Sequence, residues 1–168
     1  MALLLVHVIY QAFAFLTMYY NPVASKVLSF GFLAVLALHV ICSIGIVIFA
    51  HEGKKVDYPK LNRRTIRQRG SAFGILLLLL LHMNTFSLMG KAAGGPAMIG
   101  VILVEILFFG MVFLHIASSF SRALITMGWL QFRQTQQRLD RCLWVICGIG
   151  ILAAAVIIIR AQLIIFGR

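Results

Sequence analysis

Charge is scarce in this chain, and negative charge scarcest. Of 168 residues only 11% are charged, with four Asp or Glu against fifteen Lys or Arg. A soluble domain carries about a quarter of its residues as charges, so that class is excluded. Cysteine is nearly absent too. Cys42, Cys142 and Cys147 lie within or at the start of apolar segments at no metal-ligand spacing, and read as packing residues. There is no CxxC, and no carboxylate lies near His7, His39, His82 or His115 in sequence, so a zinc or di-iron centre has little to build on. The opening MALLLV lacks a basic region and a small-residue cleavage site, and is not read as a signal peptide. No repeat is found, and no low-complexity tract beyond one run of leucines.

What remains is apolar: 62% of the chain, with a mean hydropathy of +1.02. A bilayer core takes about 20 apolar residues per helix. Five segments meet or approach that length, at roughly 2–20, 27–50, 71–90, 97–128 and 142–166. The expected fold is therefore all-α: a bundle of five transmembrane helices forming one domain over 1–168, with no soluble module.

The net charge of +11 invites a nucleic-acid reading, but its placement argues for membrane topology. Let side A be the side of the N-terminus and side B the other. Side A holds Lys54, Lys55, Lys60, Arg63, Arg64, Arg67 and Arg69, then Arg122, Arg133, Arg138 and Arg141. Side B holds Lys26, Lys91, Arg160 and Arg168. Eleven against four makes A the cytoplasmic side in a bacterium, or the matrix side in a mitochondrion. The stretch 52–70 is too polar to enter the bilayer and is expected to be a loop, either a purely topological charge cluster or a dock for anionic lipid or an acidic partner. In the docking reading Gln68 and Arg69, at the membrane rim, bind an acidic ligand group.

The histidines carry the chemistry. His7, His39, His82 and His115 fall in four different apolar segments, and the fifth segment has none. His51 lies beside Glu52 at an interface, where a solvated helix end accounts for it. An imidazole in hydrocarbon is costly unless something holds it. Each of the four either hydrogen-bonds a neighbouring helix or ligates a metal. Four inward imidazoles on four helices are what two bis-histidine haems require. Ser43 stands four residues after His39, and Ala117, Ser118 and Ser119 follow His115 within a turn. Such small residues let a flat macrocycle lie against the backbone, or serve close helix packing. Glu105, inside the fourth segment, is either a hydrogen-bonded carboxyl in packing or part of a proton or quinone path.

Several features occur together. His39 with a small residue four on precedes a basic, Tyr-containing stretch, and Gln68-Arg69 stands before the helix ending LLLLLLHM, His82 lying thirteen residues past the arginine. PAMIG enters the fourth segment, LHIASSFSRALITMGW follows, and IIIRAQLIIF comes near the end. In this order they resemble the single-chain, five-helix cytochrome b anchor of succinate:quinone oxidoreductases (succinate dehydrogenase and fumarate reductase). The resemblance covers residues 27–168 and extends through LLLVHVIYQAF. It implies two haem b groups, one ligated by His39 and His115, the other by His7 and His82. It further implies a flavoprotein with covalent FAD and an iron–sulfur protein docked on side A, and a membrane quinone as electron partner. Arg69 and Arg122 are the implied partners of haem propionates. Gln68, Ser43, Ser119 and Glu105 complete the residues considered for propionate or quinone contact. The implied location is the bacterial inner membrane, the mitochondrial one being the alternative. Ser119 replaces a glycine usual in that family, and no glutamate adjoins His115, Glu105 lying elsewhere. Two rival readings stand: a b-type cytochrome anchor of another respiratory dehydrogenase, and a non-haem scaffold or transporter whose histidines only pack.

Overall fold

Helix is the structure these apolar stretches must take in hydrocarbon, because only there does each segment satisfy its own backbone. The computed structural model describes residues 2–17, 19, 21–49, 59–84, 88, 91 and 96–165. The described residues form no strand. The helices are α1 (Ala2–Thr17), α2 (Pro22–Phe49), α3 (Pro59–Met83), α4 (Ala97–Thr126) and α5 (Arg133–Ile165). Three of them, α2, α4 and α5, contain stretches long and apolar enough to cross a membrane, and α1 contributes a shorter apolar stretch, Leu3–Ala14. The expectations for His51 and Glu52, and for Lys54, Lys55 and Arg168, lie outside the described residues.

Helix ends follow local chemistry more than hydropathy. Asn21 caps α2, its Oδ1 accepting from the amides of Val23 at 3.0 Å and Ala24 at 3.1 Å, and Pro22 takes the first helical position. Pro59 opens α3 in the same way, so residues 59–70 are helical where the sequence predicts a loop. Their polarity bars them from hydrocarbon but not from a helix, since Lys, Arg and Gln are good helix formers. α5 likewise starts at Arg133 rather than near 142. α4 closes on Gly128, whose φ of 76° is the left-handed conformation glycine accepts freely. Gly128 N–H donates to Ile125 O, and Trp129 N–H to Leu124 O, satisfying the last carbonyls.

The packing is inverted relative to a water-soluble protein. Buried side chains are mostly small or polar: Ala117, Ala161, Ser71, Ser118, Ser121 and Gln162. Large aliphatic and aromatic residues such as Phe30, Leu38, Leu77 and Leu152 face outward, each more than 60% exposed. Close helix approach through small residues, with greasy side chains outside, is how helices pack in lipid.

Contacts divide the chain into two compact units, Met1–Asp57 and Tyr58–Arg168. In the first, α1 packs on α2. Tyr10 Oη donates to Asn21 O at 3.0 Å and accepts from Asn21 N–H at 3.2 Å, while Gln11 Nε2 donates to Ser25 Oγ at 3.2 Å. In the second, α4 lies between α3 and α5. α3 and α4 run antiparallel, with Arg122 bonded to Thr65 near one end and His82 to Glu105 near the other. Gly74 lets them approach: a Cβ there would sit 3.1 Å from Met111 Sδ. Gly150 does the same for α4 and α5, since a Cβ would meet the Phe113 ring at 2.6 Å. Within GIGILAAA (148–155) it is thus Gly150 that makes the close approach, while Gly148, Ile149, Leu152 and Ala153 are exposed.

Candidate functional site

Two histidines of the second unit are held alike, each by a bond at Nδ1. His115, on α4, places Nδ1 3.1 Å from the backbone carbonyl of Gln68 and 3.3 Å from Ser71 Oγ, both on α3. A carbonyl only accepts, so Nδ1 carries the proton and Nε2 is the basic nitrogen. Ser71 Oγ in turn donates to Gln68 O at 3.0 Å, tying both donors to one acceptor. His82, near the end of α3, places Nδ1 2.9 Å from Oε2 of Glu105 on α4. Glu105 is only 3% exposed. His82 has no carboxylate near it along the sequence but has one in space, because the antiparallel register of α3 and α4 brings residues 82 and 105 together. The His82 ring stacks on Phe108, centroids 4.2 Å apart and planes 14° apart, and meets Phe109 edge-on at 5.7 Å. Glu105 and His115 are ten residues apart on α4, about 15 Å of helical rise, so the two imidazoles stand at separate levels.

The first unit repeats the two-level pattern. His7 is half-buried on α1 and stacks on Phe32 of α2, centroids 5.5 Å apart. His39 lies seven residues beyond Phe32 on α2, about 10 Å further along, and is exposed. α1 ends at Thr17, which puts His7 ten residues, about 15 Å, from the helix end.

The serines four residues past two of the histidines turn their hydroxyls inward. Ser43 Oγ donates to His39 O at 2.7 Å and Ser119 Oγ to His115 O at 2.5 Å. Each hydroxyl is thereby satisfied within its own helix, and the residue presents a small surface without a loose polar group.

The arginines and Gln68 separate by role. Arg122 Nη1 donates to Thr65 Oγ1 at 2.9 Å and Gln68 Oε1 at 3.3 Å, so both Arg122 and Gln68 serve the α3–α4 seam. Arg69 is exposed. Arg67 lies over the Trp144 ring of α5, 5.4 Å from its centroid.

Two further features escape sequence reasoning. Arg64 joins all three helices of the second unit. Its Nε donates to Ser118 O at 2.8 Å, Nη1 and Nη2 form a fork on Asp140 at 2.9 Å each, and Nη2 also meets Ser121 Oγ. The one signal for it is that Asp140 stands alone among the basic residues opening α5. The other feature is Gln162, fully buried on α5, whose amide nitrogen and oxygen both lack a hydrogen-bond partner among the described residues. Burying an unbonded amide costs about 1–3 kcal/mol. Gln162→Leu, of similar shape, is therefore expected to stabilise the protein by about that amount. Denaturant unfolding in detergent micelles checks it, and a destabilised variant would show that the amide is bonded in solution.

No family model, curated protein or solved structure matches the chain.

Proposed function

We propose that this chain is the haem b-binding membrane anchor of a succinate:quinone oxidoreductase, carrying electrons between an iron–sulfur subunit and a membrane quinone in the bacterial inner membrane. The observation that carries the reading is the pair of engaged Nδ1 atoms, His115 on a carbonyl and His82 on a carboxyl group. Metal-ligating histidines almost always bond the other ring nitrogen to a carboxylate, carbonyl or water, which fixes the tautomer and aims the ligating atom. A histidine that merely packs has no need to present the same nitrogen the same way in two places.

As the resemblance implies, His39 and His115 would hold one haem and His7 and His82 the other. The bound haems supply one-electron transfer at potentials set by ligation, burial and nearby charge. The chain's own part is to hold and orient. Two histidine levels in each unit suit two haems, and hydroxyls folded onto their own helices at Ser43 and Ser119 leave smooth ground beside the ligands. Arg69 suits a propionate, as guanidinium matches carboxylate bidentately. In this reading the arginine-rich helix ends face the cytoplasm, as the positive-inside rule asks. There Arg63, Arg67, Arg69, Arg133, Arg138 and Arg141 are all exposed and suit an acidic surface on the iron–sulfur subunit.

A reduced-minus-oxidised spectrum of the purified complex tests the reading. Two haem b groups per chain are expected, alongside flavin and iron–sulfur subunits. A folded, intact complex with no haem b signal would exclude a cytochrome, and a haem-bearing complex with other soluble subunits would favour an anchor for a different dehydrogenase.

A further inference from the structure

Resting on the haem reading above, we propose that Glu105 is the positioning residue of His82, fixing which nitrogen of that ring meets iron and how basic it is. Three contacts from one face of α4 hold the ring. The Glu105 carboxyl group takes Nδ1 at 2.9 Å, Phe108 lies parallel against the ring face, and Phe109 meets it edge-on. Glu105 and Phe108 are three residues apart and so share a helix face. The first contact sets the direction of the ring nitrogens and the other two set the plane. Nε2, on the far side of the imidazole from the carboxyl group, is thereby the ligating atom.

The chemistry singles out Glu105. It is an acid buried to 3% exposure in the middle of an apolar helix, where a carboxyl group needs a partner to be tolerated. His115 obtains the same service from a backbone carbonyl, for which no side chain had to be chosen. A carboxyl oxygen accepting from Nδ1–H makes the imidazole a stronger donor to iron, which holds the metal more tightly and stabilises its oxidised form.

The test uses the complete complex carrying Glu105→Leu or Glu105→Gln. Three quantities are read: haem transfer to an apo-globin, redox midpoints, and low-spin electron paramagnetic resonance signals. Leucine removes the acceptor. One of the two haems should lose about 10- to 100-fold in affinity while the other is unchanged. Glutamine keeps an acceptor oxygen, so both haems should stay, with the midpoint of one raised and its g-values shifted. Wild-type affinity, midpoints and signals in both variants would overturn the assignment while leaving the haem reading standing. If leucine disrupts the fold and releases both haems, the glutamine variant decides: a raised midpoint supports the assignment and an unshifted one overturns it. A wild-type complex devoid of haem b would overturn the haem reading itself, and this inference with it.

Discussion

His115→Ala is expected to remove about one of two haem b groups per chain and leave the polypeptide folded. The second half of that statement makes the first interpretable. His115 donates to Gln68 O, but so does Ser71 Oγ at 3.0 Å, so the carbonyl keeps a partner when the imidazole is gone. That carbonyl is therefore not left as a buried acceptor without a donor, the usual source of large losses on deleting a polar side chain. Nor does it touch the Arg64 linkage or the His82–Glu105 pair. Haem content per chain, with helicity by circular dichroism as the control, checks the prediction. Full haem content in a helical variant would reject His115 as a ligand.

Arg64→Ala is expected to act in the opposite way, damaging stability first. The guanidinium makes hydrogen bonds to α3's two neighbours at once, through Ser118 and Ser121 on α4 and Asp140 on α5. Its side chain and that of Asp140 keep about a fifth to a quarter of their exposure, so the pair is partly wet and sits at the low end of the range for buried ion pairs. A loss of about 3 kcal/mol is expected, most of it from leaving Asp140 without its cation. Arg64→Lys should not restore it, because an ammonium cannot form the fork on Asp140 while also reaching Ser118. Combining Arg64→Ala with Asp140→Ala should cost less than the sum of the two single changes. Unfolding in mixed micelles measures the wild type and the four variants, and additive losses would show that the pair does not interact.

Much of the helical content is legible in the sequence because hydrocarbon leaves the backbone no alternative. Each apolar segment is largely helical, though α1, α3 and α4 end at Thr17, Met83 and Thr126, short of the expected 20, 90 and 128, and α2 opens at Pro22, five residues ahead of its segment. What hydropathy misses is helix outside the hydrocarbon. Residues 59–70 and 133–141 are polar, and only their propensities, together with proline at position 59, speak for helix there.

The histidines are legible one at a time, since each is conspicuous among aliphatic neighbours, but their partners are not. His82 and Glu105 stand 23 residues apart, and Arg64 and Asp140 stand 76 apart, on helices whose register no local pattern reveals. The usable clue is scarcity. With four acids in the whole chain, an acid inside an apolar or arginine-rich stretch has to be matched by something across the helix interface.

The polar bonds between α3 and α4 cluster toward the two ends of the shared seam, those of Arg64, Thr65, Gln68 and Ser71 with Ser118, Ser121, Arg122 and His115 toward one, His82 with Glu105 toward the other. Two helices pinned at both ends work as a graduated scale. Sliding by a single notch, about 5.4 Å, would break every pin together, so intermediate settings have nothing to hold them. One residue inserted between Ser71 and His82 would swing the imidazole about 100° around its axis and away from Glu105. The vertical interval between the two imidazoles of this unit is thus a length the polypeptide keeps constant.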